Sequence, residues 1–415
     1  MPTAVPRLRL VARTFRALPI AVAALALAAG TASAADPPPA GSAPPDQDPF
    51  YSAPADIGSY QPGQVVADRK ITPEVGGLAT TTDVWQISYR TDDSHGRPEP
   101  AVTTLLVPKK AWTGGGRRPV VSVQAAEDST GTQCAPSYGV SSGQGYAASS
   151  AIYPAAVLAK GWAVAMPDFE GPKSVFMGGP QAGHAVLDGI RAVRNLGAGG
   201  VGTTKPWALN GYSGGAQATG WAAELQPSYA PDVRLVGAAM GGTPADPTAV
   251  ARSLDGGVFS GFEAAATVSL AAEYPEAGID DLTNAAGKEA LQKARGTCLA
   301  DLLTGFAFKK LADYTTVPDP LSVPSVAAML EKNTMGAAAP TTPIYDYHAD
   351  TDEIVPVAQD DALTRTWCAK GATVQVVRDL LGEHATEMVV RQNDVLSFLT
   401  DRFAGRTPGT TCRPV

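Results

Sequence analysis

The chain has 415 residues, 44% of them hydrophobic and 17% charged, with a formal net charge of −8. An acidic balance of that size argues against a nucleic-acid partner and for a protein that stays in solution. Four cysteines outside any C-x-x-C pattern, and four histidines without an H-E-x-x-H run, give no metal or redox motif, so no cofactor is expected.

Arg7, Arg9, Arg13 and Arg16 precede an apolar run from Leu18 to Ala29, and Ala32-Ser33-Ala34 follows. That order reads as a signal peptide, residues 1–34, cleaved after Ala34 to give a secreted product. The run is too short and alanine-rich for a transmembrane anchor, and no later segment approaches a membrane span. No acid precedes Asp36, so removal of the four arginines takes the charge from −8 to about −12 (−8 − 4). Residues 35–49, beginning Ala35-Asp36-Pro37-Pro38-Pro39, read as a Pro-rich mobile arm, with ordered structure from Phe50.

Val84 to Tyr89 and Thr103 to Val107 alternate as antiparallel strands joined through Asp92-Asp93-Ser94-His95-Gly96, which puts His95 on a surface turn with no chemical role. Pro119 to Gln124 is the next strand and opens into Ala125-Ala126-Glu127-Asp128. Gly139-Val140-Ser141-Ser142-Gly143 fits G-x-S-x-G, but a turn-like stretch precedes it in place of a strand, so Ser141 reads as loop. Gly183 to Ile190 reads as a helix packed on the sheet, with His184 a helix residue without chemistry.

Gly211-Tyr212-Ser213-Gly214-Gly215 has the context that Ser141 lacks. It follows the apolar run Trp207-Ala208-Leu209 and precedes the helix-like stretch Ala216 to Leu225. This is a nucleophile elbow, where a sharp strand-to-helix turn demands small residues around a projecting serine. A serine nucleophile needs an imidazole base and a carboxylate to orient it, in the chain order Ser, Asp or Glu, His for an α/β-hydrolase. His95 and His184 precede Ser213, which leaves His348 and His384. Pro343 to His348 reads as a buried strand ending in the acidic loop Ala349-Asp350-Thr351-Asp352-Glu353. A helix from Val357 to Lys370 and a strand from Thr373 to Val377 then lead to His384, the interval a doubly wound sheet provides between neighbouring ligand-facing loops. His384 is therefore the base and His348 a supporting residue. On this reading Asp350, Asp352 and Glu353 are all within reach as the acid. The oxyanion needs two donors: the N–H of Gly214, directly after the nucleophile, and one from the loop after strand Pro119–Gln124.

Between the strand Val233–Ala239 and the strand at Ile344 lie roughly one hundred residues, more than one crossover needs. They read as helices over Thr248–Leu254, Gly261–Tyr274, Ile279–Lys293, Cys298–Leu311 and Ser325–Lys332. The fold class is α/β: an α/β-hydrolase core with a mostly parallel doubly wound sheet, residues 50–245 and 336–415, and an inserted helical cap, residues 246–335. Phe259, Phe262, Phe306, Phe308 and Leu311 are candidates to line an acyl tunnel under it.

Several stretches, in order, resemble the secretory lipases of the fungal lipase A type. They include Asp48-Pro49-Phe50-Tyr51, Glu127-Asp128-Ser129-Thr130, Cys134-Ala135-Pro136-Ser137-Tyr138, Pro167-Asp168-Phe169-Glu170-Gly171 and Leu187-Asp188-Gly189-Ile190-Arg191, together with the run from Gly211 to Gly241-Gly242-Thr243-Pro244. His348-Ala349-Asp350-Thr351-Asp352-Glu353-Ile354-Val355-Pro356 is similar to that family's H-[GA]-x-x-D-x-[IV]-[IV]-P stretch, with Ala349 where Gly is common; Gln217 is another variable position. The resemblance implies Asp352 as the acid, Asp128 as the second oxyanion donor with its main-chain N–H dominant, and disulfides Cys134 with Cys298 and Cys368 with Cys412. It further implies that the serine hydrolase acts on lipid-type esters, acylglycerols included; a cofactor-free monomer with transient contact to a lipid interface is expected. A short-chain carboxylesterase, an acyltransferase or an exopeptidase would use the same three residues, and a secreted binding protein could retain the scaffold.

Overall fold

The computed structural model describes residues 41–144, 152–201 and 206–412. The predicted signal segment and the first residues of the arm lie outside these. Nine strands form one sheet: β1 (Val65–Ile71), β2 (Thr82–Asp92), β3 (Pro98–Pro108), β4 (Val120–Gln124), β5 (Ala163–Pro167), β6 (Trp207–Tyr212), β7 (Leu235–Gly241), β8 (Ile344–Ala349) and β9 (Val374–Asp379). Their spatial order is β1-β2-β3-β5-β4-β6-β7-β8-β9. The first three pair antiparallel, β3 meets β5 antiparallel, and every pairing from β5 to β9 is parallel.

Side-chain alternation divides the core in two, because successive residues of a strand face opposite sides of the sheet. Val120, Leu209, Met240 and Ile344 pack on one side with Leu187, Ile190 and Trp221 from helices Gly179–Leu196 and Gly214–Tyr229. Val121, Ala208, Ala239 and Tyr345 pack on the other with Val157, Leu396 and Leu399 from helices Ile152–Ala159 and Gln392–Phe403. With both faces covered, β4, β5, β6 and β8 are buried along their whole length and need continuous apolar or hydrogen-bonded runs.

The parallel register sets one row across the sheet: Gln124 opposite Gly211, Gly211 opposite Met240, Met240 opposite Asp346, and Asp346 opposite Val376. The loops after β4, β6, β8 and β9 therefore leave the same edge. They carry Asp128, Ser213, Asp352 and His384, which are far apart in the chain.

Between β7 and β8 the chain forms helices Pro247–Leu254, Gly261–Glu273, Ala285–Ala294, Leu299–Phe306 and Pro324–Lys332, with short turns between them. They bury a third apolar cluster, which includes Leu270, Leu302, Phe306 and Met329 and also takes in Phe176 and Met177 from the loop after β5. Two helices expected to be continuous are broken. Asn284 interrupts the run Ile279–Lys293: its side chain accepts from Gly287 N at 2.9 Å and starts a new helix, a favourable N-cap. The run from Cys298 ends at Phe306, because Phe308 adopts φ +62° and its N–H bonds to Gly257 O at 2.8 Å.

Two further expectations are corrected. The described part of the arm, residues 41–49, is packed: Ser141 Oγ donates to Gly41 O at 2.6 Å, Pro45 is buried, and Asp48 pairs with Arg69 at 2.7 Å. Ser141 lies in a short helix, Pro136–Ser142, started by Pro136 at its first position, where a missing N–H costs nothing. Both disulfides, Cys134–Cys298 and Cys368–Cys412, are formed; the first joins the loop after β4 to the helical insertion and the second holds the tail against the sheet.

Candidate active site

Ser213 sits between β6 and helix Gly214–Tyr229 with φ +56° and ψ −125°. For a residue other than glycine this conformation is strained by roughly 1–3 kcal/mol, and the surrounding packing must hold it. Ser213 N donates to Gly241 O at 2.9 Å. The flanking glycines follow from close approach. A Cβ on Gly215 would lie 2.1 Å from Gln124 O, and one on Gly214 would lie 1.9 Å from Asp128 Oδ1.

His384 opens helix His384–Val390, and Glu383 caps that helix by accepting from Ala385 N and Thr386 N. Its Nε2 is 2.8 Å from Ser213 Oγ and its Nδ1 2.7 Å from Asp352 Oδ2. Tyr212 from the elbow donates to His384 O at 2.6 Å, and Glu353 accepts from His384 N at 3.1 Å, so the backbone that carries the ring is fixed on two sides. Asp352 Oδ1 accepts the N–H groups of Ile354 and Val355 at 2.9 and 2.7 Å, which aims Oδ2 at the imidazole. Asp350, the other aspartate of the loop, is exposed.

His348 stands behind this acid. Its Nε2 donates to Val355 O at 2.9 Å while lying 3.2 Å from Asp352 Oδ2, and its Nδ1 is 3.0 Å from Asp360 Oδ2. Burial alone would lower the ring's proton affinity. The bonds to Asp352 and Asp360 outweigh burial and raise its pKa to about 10, so it is a cation at neutral pH. Burial likewise favours protonation of Asp352, but His348 and His384 hold its carboxyl well below the usual carboxylate range. Arg378 completes the array, with Asp360 at 3.1 Å and Asp346 at 2.6 Å. Asp360 and Arg378 did not stand out in the sequence, since no motif marks a carboxylate one helix turn in and an arginine one strand further on.

Asp128 is buried, has φ +48°, and its Oδ1 has no hydrogen-bond partner among the described residues. Burial pushes its carboxyl up to about 7, against a lowering by His384. The side chain of Asp128 lies against Gly214, and its N–H faces the Glu170 carboxyl, lowering that group's proton affinity. Burial also drives Glu170 and Glu127 well above their ordinary values, each raised further by neighbouring acids. The N–H of Gly214 belongs to the first turn of its helix, where it has no intrahelical acceptor.

A cavity of about 1380 Å³, its open mouth included, reaches from Ser213, Gly214 and Asp128 to the helices of the insertion. Of the five residues predicted to line a tunnel, Phe262, Phe306 and Leu311 do so, whereas Phe259 stays out of the lining and Phe308 is turned out to solvent at 69% exposure. His95 lies on its turn, 3.1 Å from Glu276, and His184 stacks on Tyr229 at 4.1 Å; neither lines this cavity.

A nine-stranded, mostly parallel sheet with a serine elbow, an imidazole and a carboxylate on its carboxyl edge defines the class of α/β-hydrolases. The profile of the family described as secretory lipase matches residues 147–411. Lipase 6 of Candida albicans is 36% identical over 89% of this chain and 84% of its own. A protein of Mycobacterium tuberculosis named as a probable inactive lipase is 35% identical over 87% and 83%. The closed-state crystal structure of Candida antarctica lipase A superposes with a TM-score of 0.83 at 32% identity, covering 89% of each chain. The chain belongs to the secretory lipase family.

Proposed function

We propose that this protein is a secreted triacylglycerol lipase working as a single chain, with residues 246–335 as a cap that holds the acyl group. The observation that carries the reading is the apolar cavity that starts at Ser213 and ends among the helices of the insertion. A space lined in this way suits the hydrocarbon of a long acyl chain.

In this reading Ser213 Oγ attacks the ester carbonyl while His384 Nε2 takes its proton, and Asp352 holds the imidazole in the required tautomer and stabilises the imidazolium. Charge forming on the carbonyl oxygen is met by the N–H of Gly214 and by Asp128, which as a neutral acid donates from its carboxyl. Collapse of the intermediate passes the proton from His384 to the leaving alcohol and leaves an acyl-Ser213. Water, deprotonated by the same imidazole, attacks the acyl carbonyl, releases the carboxylic acid and restores the serine. Contact with a lipid surface is supported by Leu380 and Leu381, 78% and 88% exposed, on the loop leading into His384, with Val389 and Val390 exposed on the following helix.

The test compares wild type with Ser213→Ala on p-nitrophenyl butyrate, p-nitrophenyl palmitate and an emulsified long-chain triglyceride. Loss of turnover on all three by about 10⁶-fold in kcat is expected. Activity confined to butyrate would make the protein a short-chain esterase. No activity in wild type would place it with its relative named inactive, and activity surviving the substitution would mean a different nucleophile.

A further inference from the structure

Two side-chain atoms in the walls of the active-site cavity are buried without a hydrogen-bond partner among the described residues: Asp128 Oδ1 and Glu263 Oε1. Asp128 lies against Gly214, next to the nucleophile. Glu263 belongs to the insertion, on helix Gly261–Glu273, and is 5% exposed. Glu263, Ala266, Thr267 and Leu270 all line the cavity, the i, i+3, i+4, i+7 spacing of one helix face. That face is otherwise apolar in effect, because Thr267 Oγ1 donates to the carbonyl of Glu263 itself at 2.7 Å.

The ordinary reasons for a glutamate here do not apply. Ser260-Gly261-Phe262-Glu263 has the spacing of a capping box, in which the glutamate would accept the N–H of Ser260. Ser260 N instead donates to Gly257 O, and its hydroxyl donates to Phe306 O at 2.7 Å. Lys309 and Lys310 are also in the cavity wall, yet Glu263 Oε1 has no partner among the described residues. Burial and the nearby Asp255 push its carboxyl up to about 9, so at neutral pH it is an uncharged acid able both to donate and to accept. Phe262, its neighbour in the chain, has its ring 6.2 Å from that of Phe176, which lies beside Gly214. Glu263 thus belongs to the same continuous space as the nucleophile.

We propose that Glu263 is a specificity site for acyl chains carrying a hydrogen-bonding oxygen along the hydrocarbon, such as a hydroxy-fatty acyl group. The inference rests on the acyl-cavity reading above. An unmodified chain leaves the buried acid unpaired beside methylenes, whereas a hydroxyl at the matching carbon exchanges hydrogen bonds with it.

The test measures kcat/KM for p-nitrophenyl stearate and a positional series of p-nitrophenyl monohydroxystearates with wild type, Glu263→Gln and Glu263→Leu. One position, or two adjacent ones, should exceed plain stearate by about tenfold in wild type, equivalent to about 1.4 kcal/mol. Glu263→Gln should keep the preference, because an amide also donates and accepts. Glu263→Leu should bring the ratio to one or below and raise turnover of plain stearate. Hydrolysis with no positional preference, or a preference that survives Glu263→Leu, would overturn this proposal alone. No hydrolysis of any of these esters would overturn the long-chain reading and this proposal with it.

Discussion

The floor and the roof of the cavity solve the problem of buried polarity in opposite ways. On the floor, at the carboxyl edge of the sheet, charges are dense and interlocked: Ser213, His384, Asp352, His348, Asp360 and Arg378 form a continuous chain of contacts of 2.7 to 3.2 Å. Each group fixes the next, so the positions of the reacting atoms are over-determined by strands and helix termini that cannot move independently. In the roof, built from the helices between β7 and β8, the walls are mostly apolar, and among the described residues the one acid that lines them is Glu263, with an unpaired oxygen. Apolar contacts are non-directional, which suits a wall that must accept a flexible chain; directed hydrogen bonds suit a floor that must hold geometry to tenths of an ångström.

The largest effect that would break this contrast comes from the floor. Asp352→Asn should lower kcat on p-nitrophenyl butyrate by about 10⁴-fold, because the amide favours the wrong imidazole tautomer. Asp350→Asn, two residues away and exposed, should stay within about twofold. Similar losses in both variants would show that the loop as a whole, and not the one carboxylate, sets the ring.

Asp128 gives an intermediate effect with a pH signature. Its carboxyl is raised to about 7, so below that pH it is neutral and donates; as pH rises through 7 it ionises, loses its donor and repels the forming oxyanion. Wild-type kcat on p-nitrophenyl butyrate should therefore decline above about pH 7. Asp128→Asn, a donor at every pH, should flatten that decline, and Asp128→Leu should cost about 10²-fold throughout. An unchanged alkaline limb in Asp128→Asn would assign the decline to another group.

The smallest effect concerns the outside of the molecule, where the loop into His384 exposes Leu380 and Leu381. Replacing both by serine should reduce turnover of an emulsified triglyceride by about five- to tenfold, since each buried leucine contributes roughly 1.5–3 kcal/mol when fully withdrawn from water and less at an interface. Turnover of dissolved p-nitrophenyl butyrate should change by less than twofold. Equal losses on both substrates would mean that the two leucines support the histidine loop and do not meet lipid.

Much of this was legible in the chain because it is local. A sharp turn between an apolar strand and a helix needs glycines at fixed offsets, so Gly211-Tyr212-Ser213-Gly214-Gly215 stood out, and the order of elements singled out His384 from four histidines. Strand periodicity located β4 almost to the residue and the middles of β2 and β3, whose ends run up to five residues further. Helix breaks at Asn284 and Phe308 were missed, since a single cap or a positive φ leaves the apolar spacing on either side unchanged. The prolines of residues 35–49 read as a mobile arm, yet residues 41–49 are held by Ser141 and Arg69, partners many residues away.

The sequence by itself determined the class of fold, the residue types of a serine hydrolase in their order, and the family, because these reside in spacing and in short motifs. Only the tertiary structure decided which of the loop carboxylates faces the imidazole, that the side chain of Asp128 lies against Gly214, that His348 is charged between two aspartates, and that Glu263 is left without a partner. Each of these depends on distances between loops joined by parallel strands and on how far water is excluded, and neither quantity is written in any local stretch of the chain.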